Sequence, residues 1–226
     1  MQYLAQDLML LALNPQTGKI HFAASSALRY SLMGTVLLDL VLQSKLTIDN
    51  NHLMVANAST TGDEFLDQCL NEVVAAPRSR TVKFWISHWS RKYSRFPKVV
   101  LQNLVDLGVL VKQEHTVLWF FPVQRYFLTD ESIQRTIVNQ VRAAVLENIR
   151  LDSRTAVLIS LMKTCHLSNT VFTSEELPEA RSRIQAITNG ELVSKAVSEI
   201  IATAQAAMIT AISTSAASSS SSSSNQ

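Results

Sequence analysis

The sequence predicts a mostly helical protein, and three observations carry that expectation. Glycine and proline number only five each in 226 residues, too few breakers for a chain cut into many tight turns. Apolar residues recur at steps of three and four along most of the chain, as helix faces require. Two stretches, 32–42 and 156–162, are apolar nearly all round, which marks helices packed on several sides.

Taken in order, residues 3–13 place Leu4, Leu8 and Leu11 on one side of a first helix, which stops before Asn14-Pro15 and a turn closed by Gly18. A second helix covers roughly 25–43; Asp39, the one charge in its apolar stretch, is expected to cap or pair locally. Leu46-Thr47-Ile48 and Leu53-Met54-Val55 flank Asp49-Asn50-Asn51 as a short β-hairpin. In the following loop, Thr61 or Asp63 suits the cap of a helix running through Phe65, Leu66, Cys69 and Leu70 to Val73. Pro77 separates it from a basic helix at about 80–92. Pro97 fits the first turn of a helix over 98–107 that Gly108 stops. Residues 109–112 and 117–121 then read as a second hairpin, turning at Gln113-Glu114-His115-Thr116. Thr129-Asp130-Glu131 opens a helix with Ile133, Ile137, Val141 and Val145 at steps of four. Asp152-Ser153 starts the second buried helix, and 176–188 form a short amphipathic one ended by Asn189-Gly190. The last helix, 192–212, aligns Val193, Val197, Ile200, Ala204, Met208 and Ala211. From Ser213 the chain turns serine-rich, so residues 1–213 are expected to form one helical domain and 214–226 a disordered tail.

Charge is distributed unevenly. The net charge is only +2, yet Arg78, Arg80, Lys83, Arg91, Lys92, Arg95 and Lys98 fall in one segment, with no acid between Glu72 and Asp106. That pattern predicts a basic patch on a nearly neutral molecule. Trp85, Trp89 and Tyr93 run through the segment at steps of four and share one helix face. Such rings beside cations suit an anionic interface, but within a helical bundle the stripe reads better as the buried side of a wrapping helix. Cys69 and Cys165, far apart in apolar surroundings, are expected to be buried free thiols in a reducing compartment. The N-terminal stretch lacks the marks of a signal peptide, and the apolar runs are broken by Asp39, or by Lys195 and Glu199. A cytoplasmic protein without a bilayer-crossing helix is the expectation.

Enzymatic chemistry finds little support. Thr17-Gly18-Lys19-Ile20 lacks the earlier glycine and the following hydroxyl of a phosphate-binding loop. His21, His52, His88, His115 and His166 have no metal-ligand spacing, and no nucleophile elbow or HExxH occurs. The carboxylates do not cluster along the chain. No enzyme, no metal and no cofactor is expected. A helix followed directly by a hairpin has the order of a winged-helix reader, but residues 99–105 are mostly valine and leucine, with too few donors to read base edges. Nucleic acid is therefore the least favoured partner.

Seven pieces in order resemble the Golgi phosphoprotein 3 family, which also has bacterial and archaeal members. They are Leu10-Leu11-Ala12-Leu13 before Thr17-Gly18; Leu32, Gly34, Leu37-Leu38-Asp39-Leu40 with the Leu46-Thr47-Ile48 strand; Thr61-Gly62-Asp63; Leu66-Asp67 and Leu70; Asn103-Leu104-Val105 with Gly108-Val109-Leu110; Asp152 with Arg154; and Val171-Phe172. The resemblance implies an all-α fold, a central hydrophobic helix bundle wrapped by amphipathic helices with a projecting β-hairpin. It further implies a peripheral membrane protein that binds phosphatidylinositol 4-phosphate, on the cytosolic face of the Golgi in eukaryotes, where family members retain glycosyltransferase cargo. The family's lipid-pocket side chains fall on Ala24, Met33, Ser94 and Pro97 here, so the expected lipid-binding residues are the neighbouring Arg29, Arg91, Lys92, Arg95 and Lys98. The hairpin, with Leu118, Trp119, Phe120 and Phe121, is expected to touch the membrane or join copies into a homo-oligomer, with protein cargo as a further partner.

Overall fold

The computed structural model describes residues 3–117, 121–147, 151–189, 191 and 195–220. Ten α-helices and three small antiparallel sheets account for most of them. The order begins with α1 (Leu4–Ala12), the two-residue strands β1 (Leu13–Asn14) and β2 (Lys19–Ile20), a 3-10 turn at Phe22–Ala24, and α2 (Leu28–Leu42). It continues with β3 (Leu46–Asp49), β4 (His52–Val55), α3 (Glu64–Val74), β5 (Arg80–Thr81), α4 (Val82–Lys92) and α5 (Phe96–Asp106). The second half holds β6 (Leu110–Val117), β7 (Phe121–Leu128), α6 (Glu131–Leu146), α7 (Ser153–Thr164), α8 (Ser168–Val171), α9 (Leu177–Asn189) and α10 (Lys195–Ser220).

The two stretches that are apolar all round do become the centre. α2 and α7 pack against each other and against α1 and α10, and every residue from Leu32 to Leu40 is buried. Around them α3, α4, α5, α6 and α9 are two-faced. Acidic or hydroxyl side chains cap the starts of α3, α4, α6 and α7: Asp63 accepts from the Leu66 amide, Thr81 from Phe84, Asp130 from Ser132 and Asp152 from Thr155. Gly34 lies mid-helix in α2 because α10 crosses it closely. A Cβ there would sit 2.5 Å from the Met208 sulfur.

Several expectations are corrected. Residues 80–81, read as helix, form β5 and add a third strand to the first hairpin. The second hairpin does not turn at residues 113–116: Gln113 pairs with Arg125 and Thr116 with Pro122, so both arms are eight residues long. Alternation continues through that polar tetrad, and cross-strand pairing outweighs its turn-like composition. The serine-rich segment expected to be disordered from 214 remains helical through Ser220. Hydroxyls bond back to the preceding turn, Thr210 to Ala206, Ser213 to Ile209 and Thr214 to Thr210, which keeps polar side chains satisfied along the helix. Residues 221–226 lie outside the described residues.

One helix does have the length and apolarity of a bilayer span, contrary to expectation: Val197–Ala216, with mean hydropathy 1.2. Its Ile201, Ala204, Ala207, Met208 and Ala211 are buried, and the helix packs against α2, α4, α7 and α9. It is a helix of the bundle. Cys69 and Cys165 are buried and free, as predicted, and burial pushes both thiols up.

Gly18 ties the long hairpin to the bundle. Its φ of +63° suits glycine, and an added Cβ would lie 2.9 Å from Phe127 Cζ and 3.0 Å from Arg125 Cβ. Its carbonyl accepts the Tyr126 amide at 2.9 Å. Gly62 has a comparable φ of +84° with nothing near it. Gly18→Ala is therefore expected to cost about 1–3 kcal/mol more than Gly62→Ala in urea unfolding, with loss of exchange protection at the Tyr126 amide. Equal costs would contradict the docking role of this turn.

Candidate functional site

The basic segment folds into β5, α4, the corner at residues 93–95 and the first turn of α5. Trp85 and Trp89 are buried, with ring centroids 5.4 Å apart, under α10, so the aromatic stripe belongs to the core. Neither indole N–H finds a hydrogen-bond acceptor among the described residues. Those rings leave only the cations as surface candidates.

The cations are not equivalent. Glu72, from α3, accepts a hydrogen bond from Lys92 at 3.0 Å, meets His88 Nε2 at 2.9 Å, and accepts from the Tyr93 hydroxyl. Burial pushes the Glu72 carboxyl up, but the bonds from Tyr93, Lys92 and His88 outweigh it and hold the group below its usual range. Burial and then Glu72 itself push the Tyr93 phenol up. Lys92 is therefore held against a carboxylate across the α3–α4 interface. Arg80 lies over the Phe84 ring, 4.9 Å from its centroid.

Arg91, Arg95 and Lys98 are exposed and form no ion pair among the described residues. They bracket the chain reversal between α4 and α5: Arg91 in the last turn of α4, Arg95 as the N-cap of α5 and Lys98 in its first turn. Three amides of that turn are already used, Phe96 N–H bonding Tyr93 and both Lys98 N–H and Val99 N–H bonding Arg95. Arg29 stands apart, half-buried in the first turn of α2, donating to the Tyr30 hydroxyl at 3.2 Å and lying over the Tyr30 ring. No hydrogen bond or ion pair joins it to the corner among the described residues. Of the family-pocket positions, Ala24 and Met33 are fully buried, whereas Ser94 is exposed at the corner. Leu118, Trp119 and Phe120 lie outside the described residues; Phe121 opens β7 opposite Val117.

Two features escape linear reading. Asp39 does not pair locally: its Oδ2 accepts the Leu4 amide at 3.3 Å and its Oδ1 lies 3.7 Å from Arg154 Nη1. Arg154 also donates to Asp7 at 2.7 Å, so one guanidinium from α7 joins α1 to α2. Burial pushes the Asp39 carboxyl up to about 7, against the opposing pull of Arg154 and the Leu4 amide. Asp39 and Arg154 each stood in a motif of the resemblance, and an isolated acid in an all-apolar helix face was the signal that a distant base exists. The second feature is that Asp39, Asp63 and Glu64 line one cleft, although they are dispersed in sequence.

Together these features define a mostly helical bundle with a docked β-hairpin and a cationic corner where two wrapping helices meet. The family model for Golgi phosphoprotein 3 (GPP34) matches residues 4–204, and the chain belongs to that family.

Proposed function

We propose that this protein is a non-catalytic, peripheral membrane protein that binds anionic phospholipid through Arg91, Arg95 and Lys98. The observation that carries the reading is this trio of exposed cations without acidic partners in a segment lacking Asp and Glu. Each Lys or Arg near an anionic leaflet contributes about 1 kcal/mol, and the attraction is screened within a Debye length. Family membership supports phosphatidylinositol 4-phosphate as the headgroup and the cytosolic Golgi face as the site in a eukaryotic cell. Because Ala24 and Met33 are buried and uncharged, the corner recognises charge with a different set of side chains.

Sedimentation with phosphatidylcholine vesicles, alone or carrying phosphatidylserine or phosphatidylinositol 4-phosphate, tests this. Binding is expected only with the anionic lipids and is expected to fall steeply as salt rises. Equal, negligible binding to all three would end the proposal.

A second reading is that of an adaptor that self-associates through the β6–β7 hairpin. Its support is the long pair of arms, docked at the base through α5 and the Gly18 turn, with Val111 to Glu114 exposed. Light scattering on the double variant Trp119→Ser, Phe120→Ser is expected to show a smaller species; an unchanged mass removes the hairpin from assembly. Duplex reading by α5 gains nothing: Gln102 bonds Asp106, and Asn103 accepts from Gln6.

A further inference from the structure

A cleft lies on the side of α5 turned away from Lys98. At about 100° per residue, Phe96, Val99, Val100 and Asn103 share one face of that helix and Lys98 falls opposite. The cleft, between α1, α2, α3 and α5, has a volume of ≈ 390 Å³, within the range of small-molecule sites. Its apolar wall is built on Phe65 and Phe96, stacked with centroids 4.3 Å apart and planes at 15°. Val99, at 54% exposure, forms part of the rim.

The polar lining has one sign. Asp63 and Glu64 contribute carboxylates, Asp39 adds a carboxyl that burial pushes up to about 7, and no Lys or Arg lines the cleft among the described residues. Asp63 uses one oxygen on the Leu66 amide, and exposed Glu64 makes no ion pair among the described residues. Arg154 reaches Asp39 but is shared with Asp7, so it does not reverse the sign. Tyr3, on the wall, registers the field: burial, then the charge of Asp63 and its hydrogen bond with the phenol, then the charges of Asp39 and Asp67 push the phenol up.

We propose that this cleft binds a small organic ammonium ion, its aromatic or short-alkyl body against Phe65 and Phe96 and its nitrogen facing Glu64 and Asp63. Aromatic faces and carboxylates both favour a cation, and the apolar wall favours a body of one ring. An anion of the same shape meets the carboxylates of Asp63 and Glu64 and no cation among the described lining residues. This inference does not depend on lipid binding, since none of Arg91, Arg95 and Lys98 lines the cleft.

The test is calorimetric titration of the full chain with 2-phenylethylammonium and with its anionic counterpart, 3-phenylpropionate. The ammonium is expected to bind with a Kd on the order of 1 mM or tighter, and the carboxylate not to bind. Val99→Trp, which fills the rim from an exposed position, is expected to weaken the ammonium at least about tenfold, and Glu64→Gln a few-fold. Circular dichroism confirms that both variants fold. Absence of ammonium binding, equal binding of the two probes, or indifference to both substitutions would overturn the proposal. Vesicle binding by Val99→Trp is expected to persist, which separates failure here from failure of the membrane reading.

Discussion

Arg154→Ala is expected to remove about 3–5 kcal/mol of folding stability near pH 8, the usual cost of taking one partner from a buried ionic cluster. Asp7 and Asp39 are both almost fully buried, and one guanidinium serves them both. The pH dependence follows from Asp39. Its carboxyl titrates near 3.8 when unfolded and is pushed up to about 7 by burial in the folded chain. Between those values the folded state holds a proton that the unfolded state has released, so stability falls as pH rises, by roughly 4 kcal/mol in total. Asp39→Asn is expected to flatten that slope. Removing Arg154 raises the carboxyl further, so the Asp39 share of the loss is absent below about pH 7 and grows above it. Urea midpoints measured across pH check both variants. A loss from Arg154→Ala that shows no growth through neutrality would contradict the pairing.

Trp89→Ala is expected to cost about 3–5 kcal/mol through the cavity it leaves, while the folded variant keeps its affinity for anionic vesicles. The residue is fully buried between α4 and its neighbours, so it cannot reach a membrane without unfolding. Denaturant unfolding combined with sedimentation separates the two roles. Intact stability with lost vesicle binding would return Trp89 to the interface.

Helices were legible because burial imposes periodicity. The all-apolar stretches 32–42 and 156–162 announced α2 and α7, and Asp63, Asp130 and Asp152 announced helix starts through their capping chemistry. The misplaced hairpin turn shows the limit: Gln113 to Thr116 have turn-like polarity, but their strand conformation comes from pairing with residues 122–125. The candidate site was legible in outline only. Composition picked out Arg91 to Lys98, but nothing local to Lys92 reveals that Glu72, twenty residues earlier, holds it. Arg29 joins the other cations only through the resemblance, and its engagement with Tyr30 is a matter of side-chain geometry. The acidic cleft needed the tertiary fold, because α1, α2 and α3 each supply part of it.

The central claim is that three particular cations, and not the basic segment as a whole, hold the protein at an anionic surface. Sedimentation of the triple variant Arg91→Ser, Arg95→Ser, Lys98→Ser beside Lys92→Ser tests it directly. At about 1 kcal/mol per cation, the triple variant is expected to lose on the order of a hundredfold in affinity for vesicles containing phosphatidylinositol 4-phosphate. Lys92→Ser, whose charge is already matched by Glu72, is expected to bind nearly as the unaltered chain does. Undiminished binding by the triple variant, or a loss as large from Lys92→Ser alone, would contradict the account.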